Sequence, residues 1–169
     1  MQFYEYDPKP AKKREKLAVG AMLIVSAALF GISQIPNLPF PSLVHLLMIF
    51  VLVGMVMLIT RCLMRHFVYA VVPSERGALG ERDFVITEYY GRRITVVCRI
   101  ATSEIVEITR LTRENREQIK KTLQGRRVYT YTAQIWGEDF YLLTVADGEE
   151  CFSIRILADE MLLNALKDR

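Results

Sequence analysis

Between Leu17 and Thr60 the chain carries no Asp, Glu, Lys or Arg, a run of 44 residues. The whole chain of 169 residues is nevertheless 24% charged and 51% hydrophobic. These two facts fit together only if the charges are segregated, with lipid as the solvent for one stretch and water for the rest. A bilayer core about 30 Å thick takes roughly 20 apolar residues in a helix, so the run is long enough for two passes. The segment Gln34-Ile35-Pro36-Asn37-Leu38-Pro39-Phe40-Pro41-Ser42 divides it. Prolines remove backbone donors and push their predecessors out of helical geometry. Helices are therefore expected at about 17–33 and 43–64. The chain divides into a basic tail (1–16), a transmembrane hairpin (17–64) and a third part (65–169).

Lys and Arg placement sets the expected orientation. Lys12, Lys13, Arg14 and Lys16 precede the first helix, Arg61 and Arg65 follow the second, and the connection has none. By the positive-inside rule both termini are cytoplasmic, which makes this a multi-pass membrane protein. The rival is a cleaved signal peptide with small residues near Gly31 and Ser33. The acidic, aromatic start and the uncharged passage into a second apolar run argue against it. Gly20, Ile24, Ala27 and Gly31 fall on one helical face, where small side chains admit a second backbone, with Gly54 as a candidate partner. His45 is the lone ionisable group inside the run, and without a charged partner there is no visible proton relay.

From about residue 66 the apolar pattern changes to alternation, the mark of half-buried strands. Strands are expected at 67–72, 84–90, 93–100, 104–109, 128–136, 140–145 and 151–157. On the third, Ile94, Val96, Cys98 and Ile100 share one face. A helix from Thr112 to Gln124 interrupts the series, with Thr112 able to cap and Gly125 at C′. Gly91-Arg92, Gly137-Glu138 and Asp147-Gly148 mark turns. Asp159 caps a last helix with Leu162, Leu163 and Leu166 on its apolar stripe. Seven short antiparallel strands and a covering helix imply a small barrel or sandwich, an α+β protein once the hairpin is counted.

The stretches Phe84-Val-Ile-Thr-Glu-Tyr-Tyr-Gly-Arg-Arg-Ile94 and Val97-Cys-Arg-Ile-Ala-Thr-Ser-Glu-Ile-Val-Glu-Ile108, with three later strands and the helix from Asp159, resemble bacterial PH-like (pleckstrin-homology-like) domains. The hairpin ahead of them is similar to that of small bacterial membrane proteins carrying such a domain. Two features depart from the pattern. The sole Trp, Trp136, is on a strand rather than in the final helix, and the 112–124 helix is an addition. The resemblance implies a binding or scaffolding platform and no activity.

The chemistry-bearing residues agree with that. His45 is expected in lipid and His66 at the membrane surface, out of easy reach of Cys98 or Cys151 in a distal β-domain, so no Cys-His nucleophile is expected. The three cysteines have no metal-ligand spacing, and an odd, unpaired count suits a reducing compartment. Gly77-Ala-Leu-Gly80 lacks a Walker lysine. No catalytic residue, cofactor or metal is therefore expected. The expected partners are the bilayer and a membrane or cytoplasmic protein, which includes a second copy of the chain. The surface for them is Tyr89, Tyr90, Arg92 and Trp136, since aromatics and arginines anchor interfaces. A second reading gives Arg113, Arg116, Lys120, Lys121, Arg126 and Arg127 to anionic lipid headgroups. Glu114 and Glu117 neutralise part of that set. The net charge of +3 does not favour nucleic acid. A third reading makes the hairpin's small-residue face an accessory of a transport complex.

Overall fold

The computed structural model describes residues 4–8, 13–36, 40–74, 80–112, 114–123, 125–135, 140–148 and 150–167. They form two compact units, a helical hairpin and a two-sheet module.

The hairpin consists of α1 (Lys13–Ser33) and α2 (Pro41–Cys62), of 21 and 22 residues. At 1.5 Å per residue each is about 32 Å long, enough to cross a hydrocarbon core. Both begin a few residues before the uncharged run's own pattern suggested. Phe40 precedes α2 in the left-handed region (φ 64°), and Pro41 occupies the first turn, where its missing N–H costs nothing. The shielded residues include Val19, Met22, Ser26, Leu29 and Ser33 on α1, and Val44, Met48, Val51, Met55 and Leu58 on α2. Their alternating three- and four-residue spacing is the seam of two helices packed side by side.

The module contains eight strands among the described residues, one more than the alternation predicts. They are β1 (Tyr4–Tyr6), β2 (Arg65–Pro73), β3 (Arg82–Tyr90), β4 (Arg93–Ala101), β5 (Ile105–Leu111), β6 (Arg127–Thr130), β7 (Phe140–Asp147) and β8 (Glu150–Leu157). Two helices complete it, α3 (Arg116–Thr122) between β5 and β6, and α4 (Glu160–Lys167) at the end. The strands make two four-stranded sheets, β1-β2-β3-β4 and β5-β7-β8-β6. This corrects the expected seven-stranded antiparallel barrel. The sheets do not close on each other, and β6 runs parallel to β8 because α3 carries the chain across before β6 begins.

The additional strand comes from the N-terminal tail. Tyr4, Glu5 and Tyr6 pair antiparallel with Val71, Ala70 and Tyr69, so segments on either side of the hairpin belong to one sheet. Tyr4 also donates a 2.8 Å hydrogen bond to Asp159 Oδ2. Asp159 Oδ1 accepts the Leu162 N–H at 2.8 Å, the expected cap of α4, and Leu162 and Leu166 are buried. Helix α3 starts four residues later than expected. Thr112 and Asn115 close on each other instead: Thr112 N–H donates to Asn115 Oδ1 (2.8 Å) and Asn115 N–H to Thr112 Oγ1 (3.3 Å). Gly125 (φ 91°) ends this element and Gly148 (φ 58°) turns β7 into β8, as their positions suggested.

The core lies between the sheets. Phe67, Tyr69, Val71, Phe84, Ile86 and Ile100 face Leu143, Val145, Ile154 and Ile156, all buried. Tyr69 ties the layers together. Its ring stacks on Tyr6 (6.1 Å) and Phe84 (6.3 Å) within its own sheet. Its hydroxyl donates to the Tyr131 carbonyl (2.6 Å) just past β6 and accepts the Leu157 N–H (3.4 Å) of β8.

Candidate functional site

The β3–β4 hairpin carries three of the four residues expected to meet a partner: Tyr89, Tyr90 and Arg92. Gly91 (φ 59°) supplies the left-handed turn residue, and Arg92 and Arg93 sit exposed at the tip. Trp136 lies outside the described residues.

The register of β3 on β4 decides what this hairpin shows to its surroundings. Phe84 pairs with Ile100 and Ile86 with Cys98, but Thr87 pairs with Val96 and Tyr89 with Ile94. Val97 is therefore an extra residue, a bulge. A one-residue slip in a period-two structure moves every later side chain to the opposite face. Cys98 and Ile100 stay inside with Phe84 and Ile86. Ile94 and Val96 turn outward with Thr87 and Tyr89, and are 65% and 58% exposed. The expectation of one apolar face from Ile94 to Ile100 is corrected accordingly. A second bulge lies at Val106: Ile105 pairs with Val145 and Glu107 with Thr144, which leaves Val106 unopposed and 64% exposed.

Beside the hairpin, on the same outer face, the His66 ring lies 6.0 Å from that of Tyr89. His66 Nε2 is 2.7 Å from Asp7 Oδ1, just past β1. Further along this face, Arg99 Nε donates to Asp83 Oδ2 at 2.8 Å. The outer face thus reads, from β1 to β4, as Asp7, His66, Tyr89 and Ile94.

Strand β4 is one edge of its sheet and β6 one edge of the other. Tyr131 bridges toward β4: its hydroxyl donates to the Val97 carbonyl (3.4 Å), and its ring contacts Phe67 (6.2 Å) and Tyr129 (6.3 Å). Burial, with Cys98 nearby, pushes the Tyr131 hydroxyl above its usual pKa. Burial pushes the Cys98 thiol up to about 11, which suits a half-buried, inward-facing residue and not a nucleophile. Tyr4 is pushed up to about 12 by burial and by its bond to the Asp159 carboxylate.

The basic segment is distributed along a solvated surface. Arg116, Lys120, Lys121, Arg126 and Arg127 are all exposed, as are Glu114 and Glu117, and α3 buries no residue. Arg113 lies outside the described residues. In the hairpin, Gly20, Ala27 and Gly31 face away from α2, and a Cβ at Gly20 or Gly31 meets nothing within 4 Å. Gly54 is on the seam, with Met22 Cε 4.0 Å from the place of its missing Cβ. His45 Nδ1 bonds the Pro41 carbonyl at 2.8 Å, which gives this histidine a backbone partner one turn back.

One group escaped the sequence reading. Glu15, in the first turn of α1, is fully buried, and among the described residues neither carboxylate oxygen has a hydrogen-bond partner. Cys62, the last residue of α2, is also buried. Among the described residues no three His, Cys, Asp or Glu side chains come together as metal ligands.

Compared with protein-family models, with curated proteins and with solved structures, the chain matches none.

Proposed function

We propose that this chain is a non-enzymatic binding module of a bacterial inner membrane. A helical hairpin anchors it, and a PH-like β-module recognises a protein partner or a second copy at the cytoplasmic surface. The observation that carries the reading is the β3–β4 hairpin. It combines an open sheet edge with exposed Tyr90, Arg92 and Arg93. An unpaired edge offers backbone donors and acceptors to an extended segment, and neighbouring side chains select it. Tyr and Arg are the residue types that anchor such contacts.

The membrane assignment rests on two helices of sufficient length and apolarity. The orientation draws support from β1. Because β1 and β2 share a sheet, the segments before and after the hairpin lie on one side of any membrane it crosses. Basic residues on both flanks then favour the cytoplasmic side. The basic segment 113–127 remains the alternative, lipid-sensing surface, and its exposed Arg116, Lys120, Lys121, Arg126 and Arg127 favour it only as far as Glu114 and Glu117 allow.

The test is site-specific photocrosslinking in native membranes. A photoreactive residue at Tyr90 should give a discrete protein adduct that Arg92→Ala diminishes, whereas the same probe at Lys120 should give none. Adducts at Lys120 alone, or no protein adduct at either site, would reject the assigned surface. A protease added outside sealed, right-side-out cells should leave the module intact; its digestion there would invert the topology.

A further inference from the structure

The bulge at Val97 leaves an apolar strip on the outer face of the β1–β4 sheet. It comprises His66 on β2, Tyr89 on β3, and Ile94 and Val96 on β4. Arg92 and Arg93 border it at the hairpin tip. We propose that this strip docks on the headgroup layer of the leaflet beneath which the module is tethered, with the two arginines on anionic lipid. The occupant is the membrane surface itself and not a headgroup pocket. The proposal rests on the membrane-anchored reading and shares Arg92 and Arg93 with the proposed protein surface, so its test is run in discs that hold no partner.

Three observations select this occupant. The first is covalent reach. His66 is four residues beyond Cys62, the end of α2, and four residues span at most about 14 Å. Each headgroup layer is itself about 5–8 Å deep. The strip therefore starts within reach of the polar boundary, whatever the module's tilt. The second is composition. Tyrosine, branched aliphatics and arginine are what polar–apolar boundaries accept, the rings at headgroup level and the guanidinium reaching toward phosphate. The third is charge. The acidic group facing His66 on this strip is Asp7, 2.7 Å from the imidazole, while Arg92 and Arg93 carry the tip. A protein strand added to β4 would pair with its edge and leave this face bare, so edge pairing does not account for it. The face has a reason to stay apolar if a bilayer covers it.

The experiment uses the full-length chain with Cys151→Ser, which removes the exposed cysteine. A single cysteine is introduced as Ile94→Cys, or as Val106→Cys for control. The two sites are matched, at 65% and 64% exposure. One chain per nanodisc, in phosphatidylcholine and phosphatidylglycerol in equal parts, excludes a second copy. A membrane-impermeant maleimide then reports access. Docking slows Ile94→Cys about tenfold relative to Val106→Cys. Arg92→Glu with Arg93→Glu restores most of the difference, at about fivefold per arginine for a basic side chain at an anionic surface. Equal labelling at the two sites overturns the proposal. So does slow labelling at Ile94→Cys in native membranes but not in discs, which would give the strip to a protein. A chain that fails to enter discs at all would instead overturn the membrane anchor, a separate outcome. Near-UV circular dichroism of each variant checks that the module remains folded.

Discussion

Replacing Tyr69 with Phe tests whether the two sheets form one cooperative body. The substitution preserves the ring, its 6.1 Å stack on Tyr6 and its 6.3 Å stack on Phe84, and deletes the hydroxyl. That hydroxyl joins β2 to the Tyr131 carbonyl at 2.6 Å and to the Leu157 N–H at 3.4 Å, in a side chain with no solvent exposure. A net hydrogen bond contributes about 1 kcal/mol, and the part-buried Tyr131 carbonyl left without this partner costs about 1–2 kcal/mol more. The 3.4 Å contact is long and adds little. A total near 2–3 kcal/mol follows. For a domain of about 100 residues each kcal/mol moves Tm by about 4–8 °C, so a drop of roughly 8–24 °C is expected. Tyr4→Phe is the internal comparison. It also removes one hydroxyl bond, to Asp159, but at a half-buried site where water can replace the lost partner. Its expected cost is about 0.5–1 kcal/mol. Full-length wild type and both variants would be melted in the same detergent at one scan rate, with near-UV circular dichroism following the tyrosines. A Tyr69→Phe transition within about 2 °C of wild type, or a larger loss from Tyr4→Phe, would refute the argument that this hydroxyl holds the sheets together.

Two further outcomes follow from the titrating groups. Cys98, with its thiol pushed up to about 11 from 9.0, carries about a hundredfold less thiolate at neutral pH than an ordinary cysteine. A thiol reagent should therefore modify exposed Cys151 well before half-buried Cys98; simultaneous loss of both thiols would contradict the inward placement of Cys98. Tyr4 binds its proton up to about 12 when folded, against 10.0 when unfolded. Between these values the unfolded state loses the proton first, so stability is full below pH 10 and falls as the pH rises toward 12. Tyr4→Phe should flatten that decline in an alkaline unfolding series, and an unchanged decline would assign it to other groups.

The hairpin was legible because its signal is long: an uncharged run with prolines in the middle leaves little freedom. Most strands were legible too, since alternation, Gly91 and Gly148 agree with one another locally. The faces were harder. Alternation from Ile94 to Ile100 is unbroken in sequence, yet the bulge at Val97 sends half of it outward. Nothing within β4 announces the bulge, because it exists only relative to the register of β3. Strand β1 was invisible for a related reason. Three residues, Tyr-Glu-Tyr, have no periodicity to speak of, and their partner strand lies beyond the entire hairpin. The late start of α3 came from Thr112 and Asn115 bonding each other, a competition that side chains of this kind often win against a helix. Glu15 stood among basic neighbours as one more surface charge, and only packing shows it buried. For the candidate surface, Gly91 and the arginines beside it identified the tip, whereas the exposed strip beside it came from the register.

The pairing of Tyr4–Tyr6 with β2 makes the hairpin an insertion within a sheet rather than a stalk in front of one. During synthesis the first strand leaves the ribosome long before its neighbour, and the module cannot be finished until both helices have been delivered. A fragment expressed from His66 onward would lack that strand. It would present β2, with Tyr69 behind it, as a raw edge open to association with other chains. Clumping of such a fragment would reflect the missing piece and not the behaviour of the intact protein. A soluble version that restores residues 1–8, through a short flexible link into Arg65, would be the faithful one.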